Sequence, residues 1–111
     1  MSNLPKPGTM LGLLDDIPDP GGRASSWNDG AVILVKRGGK ITAWLNDCPH
    51  AGMRFNLPDG RVMVHKDGYI VCPVHGASFA AETGQCVGGP AADENLVSIA
   101  VDIVGHEVFA K

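Results

Sequence analysis

Two short stretches carry the groups best suited to chemistry, Cys48-Pro49-His50-Ala51-Gly52 and Cys72-Pro73-Val74-His75-Gly76. Each supplies one thiolate and one imidazole from a segment rich in Pro and Gly. Thiolates suit iron–sulfur clusters and zinc, and imidazole suits zinc, iron and copper, so the shared chemistry is metal binding. A single Cys-x-His pair could arise by chance. Two such pairs, each with Pro directly after the Cys and each beside a run with strand character, would let neighbouring loops close on one metal centre. Ordinary buried Cys and turn His residues would not need this arrangement. A mononuclear zinc site with two Cys and two His competes, although structural zinc more often takes a Cys-x-x-Cys knuckle. One Cys and one His per loop also fits a binuclear cluster in which one iron takes both Cys and the other both His.

Loops of this kind must be held by strands, and the flanking sequence supplies them. Leu11-Gly12-Leu13-Leu14 reads as a short first strand, and Asp15 to Gly22 as a turn or loop. Ala31-Val32-Ile33-Leu34-Val35 and Lys40-Ile41-Thr42-Ala43-Trp44-Leu45 flank Gly38-Gly39, the clearest hairpin in the chain. Residues 61–65 and 69–71 pair through Lys66-Asp67-Gly68, and residues 77–80 and 85–87 through Glu82-Thr83-Gly84. Residues 96–103 and 107–109 pair through Gly105-His106. Many short strands with regular turns predict an all-β fold of antiparallel sheets, a sandwich or partly open barrel. No internal repeat, convincing amphipathic helix or domain boundary interrupts it. The organisation expected is one domain over residues 1–111. Its small metal-binding subdomain spans about residues 47–90, which are enriched in Cys, His, Pro and Gly.

Composition narrows the partners. The chain of 111 residues allows one modest core, and 44% hydrophobic residues make a packed one feasible. Fifteen Gly and eight Pro favour turns and strands over helices. A net charge of -3 without a dense basic run makes nucleic acid and anionic membrane surfaces poor partners. No apolar run is long enough to span a bilayer, and the first residues lack a secretory layout. Three Cys, two of them in a His-containing pattern, fit a reducing compartment, so the expected location is cytoplasmic.

The two motifs together, Cys48-x-His50 ahead of Cys72-x-x-His75-Gly76, resemble the Rieske signature. Phe79, Thr83-Gly84 and Gly89-Pro90-Ala91 resemble the hairpin and proline loop that cover the cluster in that family. The likeness spans roughly residues 10–110, with its specific content between residues 48 and 91. The His50 to Cys72 stretch is a few residues longer than in the commonest Rieske ferredoxins, the extra length falling around Arg54 to Asp59. The resemblance implies one 2Fe-2S cluster, with Cys48 and Cys72 on the inner iron and His50 and His75 on the outer iron near solvent. Neutral imidazoles in place of two thiolates make an added electron easier to accept.

The resemblance also separates types within the family. Quinol-oxidising members carry a further Cys in each loop, joined as a disulfide, where this chain has Met53 and Val74. They place Ser and Tyr hydroxyls on the cluster sulfurs where this chain has Ala77 and Phe79. The resemblance therefore implies a Rieske-type ferredoxin carrying one electron between a flavin-dependent reductase and a terminal oxygenase, with no substrate chemistry of its own. The alternative is a small Rieske subunit of a larger reductase, such as a nitrite reductase. A self-contained oxygenase is disfavoured by length and by having only His65 and His106 left for a second iron.

Bland readings suit the remaining candidates. Cys86 reads as a small core thiol, His65 and His106 as solvated turn residues, and Trp27 and Trp44 as packing residues of the scaffold. Met53 and Leu57-Pro58 could form an apolar rim for brief docking of a redox partner. Without hydroxyl donors at positions 77 and 79, the reduced cluster is less stabilised. A redox titration is expected to place the midpoint near the bottom of the roughly -150 to +300 mV range of such centres.

Overall fold

The computed structural model describes residues 4–27, 30–46, 54–73, 76–89 and 95–111. In chain order its strands are β1 (Met10–Leu13), β2 (Gly21–Trp27), β3 (Gly30–Arg37), β4 (Lys40–Leu45) and β5 (Arg61–His65). There follow β6 (Tyr69–Val71), β7 (Ser78–Ala80), β8 (Cys86–Gly88), β9 (Val101–Val104) and β10 (Glu107–Ala110). A single 3-10 turn at Leu14–Asp16 is the only helical element among the described residues. The fold is all-β, as the turn chemistry implies. Pairing is antiparallel throughout, in a three-stranded sheet of order β1-β10-β9 and a seven-stranded sheet of order β4-β3-β2-β5-β6-β7-β8.

All four expected hairpins form at their turns. The β3–β4 turn is gripped from outside, because the Gly38 and Gly39 amides each donate to the Asp19 carboxylate at 2.9 Å. Turn amides lie off the ladder, and a carboxylate from another segment satisfies them.

Two readings need correction. Gly21-Gly22, read as the end of a loop, instead opens β2, which pairs with β3 on one side and β5 on the other. Its sequence, Gly21-Gly22-Arg23-Ala24-Ser25-Ser26-Trp27, has no β-branched residue, and its neighbours impose the strand. The glycines permit close packing: a Cβ on Gly22 would lie 2.9 Å from Val62 Cβ. The strand read over residues 96–103 begins only at Val101. Residues 95–99 instead form a strap, with Gly84 accepting from the Leu96 amide at 2.9 Å. Val97 accepts from the Leu45 amide and Ala43 from the Ile99 amide, each at 2.9 Å.

That strap joins the β7–β8 turn to the free edge of β4, so the seven-stranded sheet curls toward closure. Direct contacts reinforce it. Thr42 Oγ1 donates to the Ala81 carbonyl at 3.1 Å, and Trp44 Nε1 donates to Thr42 Oγ1 at 3.1 Å. Strand β3 is buried on both faces, which explains its unbroken apolar run. Ile33 and Val35 enter the barrel core with Trp44, Phe55, Val62, Ile70, Cys72, Ala77, Phe79, Ala81 and Leu96. Val32 and Leu34 enter a second core with Leu11, Ile99 and Val108, beneath the three-stranded sheet.

Gly84 fits the closure tightly. It has φ +75°, and a Cβ there would sit 2.5 Å from Trp44 Cζ3. Gly105 has φ +61° but faces open space. Gly84→Ala is expected to lose the left-handed penalty of about 1–2 kcal/mol plus about 1–3 kcal/mol of overpacking. Gly105→Ala should lose only the first, and urea unfolding of both variants measures the difference.

Candidate metal centre

The second ligand segment is a tight loop set on the β6–β7 hairpin. Strand β6 ends at Val71, paired with Ser78 of β7, and Cys72 follows at once. The Cys72 amide donates to the Ala77 carbonyl at 2.8 Å, and the Gly76 amide donates back to the Cys72 carbonyl at 3.0 Å. Ser78 Oγ donates to the Gly76 carbonyl at 3.2 Å. Cys72 is only 2% exposed and belongs to the barrel core. A thiolate in that apolar setting requires a cation beside it, which suits a metal ligand.

The first ligand segment is entered from β4 and left toward β5. Residues 47–53 lie outside the described residues, but both stems are described. Asn46, directly after β4, is 3% exposed. Its amide donates to the Ala31 carbonyl of β3 at 3.0 Å. Its Oδ1 accepts from the Phe55 amide at 2.6 Å, and its Nδ2 donates to Asn56 Oδ1 at 2.8 Å. Its carbonyl accepts from Arg54 Nη1 at 3.0 Å. Entry and exit of the loop are therefore tied together.

The exit continues into a turn at Pro58-Asp59-Gly60. Leu57 accepts from the Gly60 amide at 2.9 Å and donates its own amide to the Arg61 carbonyl at 2.8 Å. Asp59 accepts from the Arg61 amide at 3.0 Å and from Arg61 Nε at 2.6 Å. The amide bond first and the guanidinium second hold the Asp59 carboxyl below its ordinary pKa. Residues 57–61 thus form a compact turn that returns to pair Asn56 with Val62.

The two stems meet in the core. Phe55 follows the first loop and Phe79 the second, and both are fully buried. Their rings stack edge to face with centroids 5.6 Å apart at 72°. Of the sequence-predicted ligands, Cys72 stands at this junction, while Cys48, His50 and His75 lie outside the described residues, as do Met53, Val74, Pro90 and Ala91. Gly89 packs against the second loop, so close that a Cβ would sit 2.8 Å from Ala77 Cα. The donor set, a buried thiol and converging stems fit a metal centre bridging the two loops.

Other candidates fall where ordinary packing puts them. His65 is exposed, and its Nδ1 accepts from the Asp67 amide at 3.1 Å within the β5–β6 turn. His106 is exposed, Trp44 is buried and Trp27 half-buried. Cys86 is half-buried rather than fully buried, packs on the barrel core, and its thiol donates to the Gly88 carbonyl at 3.3 Å. Of the suggested docking rim, Leu57 is half-buried and Pro58 exposed. Sequence reasoning missed Asn46, Arg54 and Asn56; the available signal was a pair of Asn residues flanking the ligand segment, a type that often bonds nearby backbone.

The family model of the Rieske 2Fe-2S domain matches residues 10–104. The chain is 32% identical over 80 residues to the cytochrome b6-f complex iron-sulfur subunit of Chlorobaculum thiosulfatiphilum, covering 72% of this chain and 40% of that protein. It therefore spans well under half the length of that curated relative. It is 30% identical over 95 residues to the 3-phenylpropionate/cinnamic acid dioxygenase ferredoxin subunit of Shigella boydii, covering 85% of this chain and 83% of that one. The ferredoxin of carbazole 1,9a-dioxygenase from Nocardioides aromaticivorans IC177 has the same fold, with a TM-score of 0.79 at 22% identity over 95% of this chain and 97% of that one.

Gly89→Ala places a methyl group against backbone that cannot rotate away, at φ +85°. Iron and sulfide per protein are expected to fall in this variant while the far-ultraviolet circular dichroism spectrum keeps its strand signature.

Proposed function

The chain belongs to the Rieske 2Fe-2S domain family, and we propose from that premise that it is a ferredoxin passing single electrons from a flavin-dependent reductase to a terminal oxygenase. The family binds one 2Fe-2S cluster, which when bound accepts and returns one electron. In this chain Cys48 and Cys72 would hold the inner iron and His50 and His75 the outer one. Residues 47–90 act as the cluster-binding subdomain of a single domain, although the described residues of that segment share their core with the scaffold. Its Phe55, Cys72 and Phe79 pack with Ile33, Val35 and Trp44 of the scaffold strands.

The observation that carries this reading is the apolar wall beside Cys72. Ala77 and Phe79 are both 0% exposed and belong to the same core as Cys72. A wall without hydroxyls gives cluster sulfurs no side-chain donors there, which disfavours the reduced state and keeps the potential low. Met53 and Val74 cannot supply the disulfide of quinol-oxidising members. The chain also matches the dioxygenase ferredoxin subunit over most of both lengths, but the b6-f subunit over only 40% of that protein.

The other parts of the reading follow from charge and thiol chemistry. No helix among the described residues is long and apolar enough to cross a membrane. A net charge of -3 argues against nucleic acid and anionic membranes as partners, and three Cys, two of them in the His-containing motifs, fit the reducing cytoplasm. The electron would leave through the imidazole side of the site, and the partner proteins are redox proteins rather than small substrates.

Visible absorption and low-temperature EPR of anaerobically purified protein, before and after dithionite, test the assignment. A red-brown protein with a reduced rhombic signal, its average g below that of all-Cys ferredoxins, is the expected result. A colourless protein containing one zinc would sink it.

A further inference from the structure

We propose that Asn46 is the positioning residue of the first ligand loop, and that its carboxamide sets where Cys48 and His50 stand relative to Cys72. This assignment rests on the reading of Cys48 and His50 as cluster ligands. The first motif lies between Asn46, directly after β4, and Arg54-Phe55-Asn56. One side chain ties the two ends: Oδ1 accepts from the Phe55 amide at 2.6 Å, and Nδ2 donates to Asn56 Oδ1 at 2.8 Å. Its main chain adds the Ala31 bond to β3 and the Arg54 bond, each at 3.0 Å. The clasp is anchored at both sides, since Asn56 also donates through Nδ2 to the Leu57 carbonyl at 3.0 Å and bridges to Val62 of β5.

The chemistry of the position is demanding. The Phe55 amide can meet only an acceptor, which fixes the oxygen of Asn46 and turns its nitrogen toward Asn56. A carboxylate would supply the acceptor without the donor, a leucine neither. Asn46 is the one buried polar side chain in the described core regions, so leaving either atom unpaired would be costly. The residue it grips is Phe55, whose ring lies against Phe79 in the core that holds Cys72. The clasp on the first loop thereby reaches the thiol of the second.

Asn46→Ala removes both side-chain bonds, and Asn46→Asp keeps only the acceptor for Phe55. In the cluster-bearing protein, loss of visible absorbance to a chelator is followed below the unfolding temperature. The expected loss is about 10- to 100-fold faster in the alanine variant, the range typical when ligand-orienting partners are removed. The g values of its reduced EPR signal should shift, and the aspartate variant should lie nearer wild type in both readouts. If Asn46→Ala does not fold, Asn56→Ala, which removes the acceptor for Asn46 Nδ2 together with the donor to the Leu57 carbonyl, and Asn46→Asp carry the same comparison. Wild-type loss rates and g values with only a lowered melting temperature would mark Asn46 as a general stability residue and overturn the proposal. A wild-type protein without a 2Fe-2S signal would overturn the functional reading, and this assignment with it.

Discussion

Loops built from Pro and Gly carry little hydrogen-bonded ladder, so the placement of the two ligand segments depends on the apolar contact between their stems. Phe55 and Phe79 supply that contact, edge to face at 5.6 Å and fully buried. Burying each ring contributes about 1.5–3 kcal/mol, and the favourable ring geometry about 0.5–1.5 kcal/mol more. Those amounts are large beside the roughly 5–15 kcal/mol net stability of a domain. Cys72 lies in the same packed cluster. Moving one loop against the other would open a void among close-packed side chains, so the junction resists displacement.

That junction is itself held by the closure of the barrel. The β6–β7 hairpin that carries the second ligand segment lies toward one end of the seven-stranded sheet, and β4, which leads into the first, lies at the other, so an open sheet would hold the two apart. The strap of residues 95–99 and the Thr42–Ala81 bond tie that end back to β4. Strand β3 completes the design from the other side. With Ile33 and Val35 in the barrel core and Val32 and Leu34 in the second core, it couples the ligand end to the three-stranded sheet. The described residues of the segment 47–90 therefore pack into the scaffold rather than apart from it.

Much of this was legible in sequence because local chemistry decided it. Gly38-Gly39, Asp67-Gly68, Thr83-Gly84 and Gly105-His106 mark turns by backbone preference alone, and hairpins formed at each. What escaped was decided by tertiary context. Strand β2 has a weak intrinsic preference and exists because β3 and β5 flank it. Residues 96–100 look like a strand, yet their main chain is spent crossing between two edges, so the regular ladder starts at Val101. For the site, the ligand pattern is read from residue types, and of its four residues the described ones include Cys72, which is buried. The Asn46 clasp could not be read so, because an Asn beside a loop normally signals a local turn, and its partners here are fixed only once the loop has closed.

The apolar junction and the clasp meet different needs. Hydrophobic contact is strong but non-directional, so the phenyl pair brings the stems together without fixing their angle. Hydrogen bonds are weaker in net terms and directional, and a buried carboxamide tolerates few arrangements. A Rieske 2Fe-2S domain needs both, because a cluster's potential responds to small changes in the surroundings of its ligands. An apolar wall at Ala77 and Phe79 withholds donors from one side, which leaves the geometry of the first loop as a remaining lever on the site. A single polar group placed at that loop's neck, inside an otherwise apolar core, fixes orientation where packing alone would leave it free.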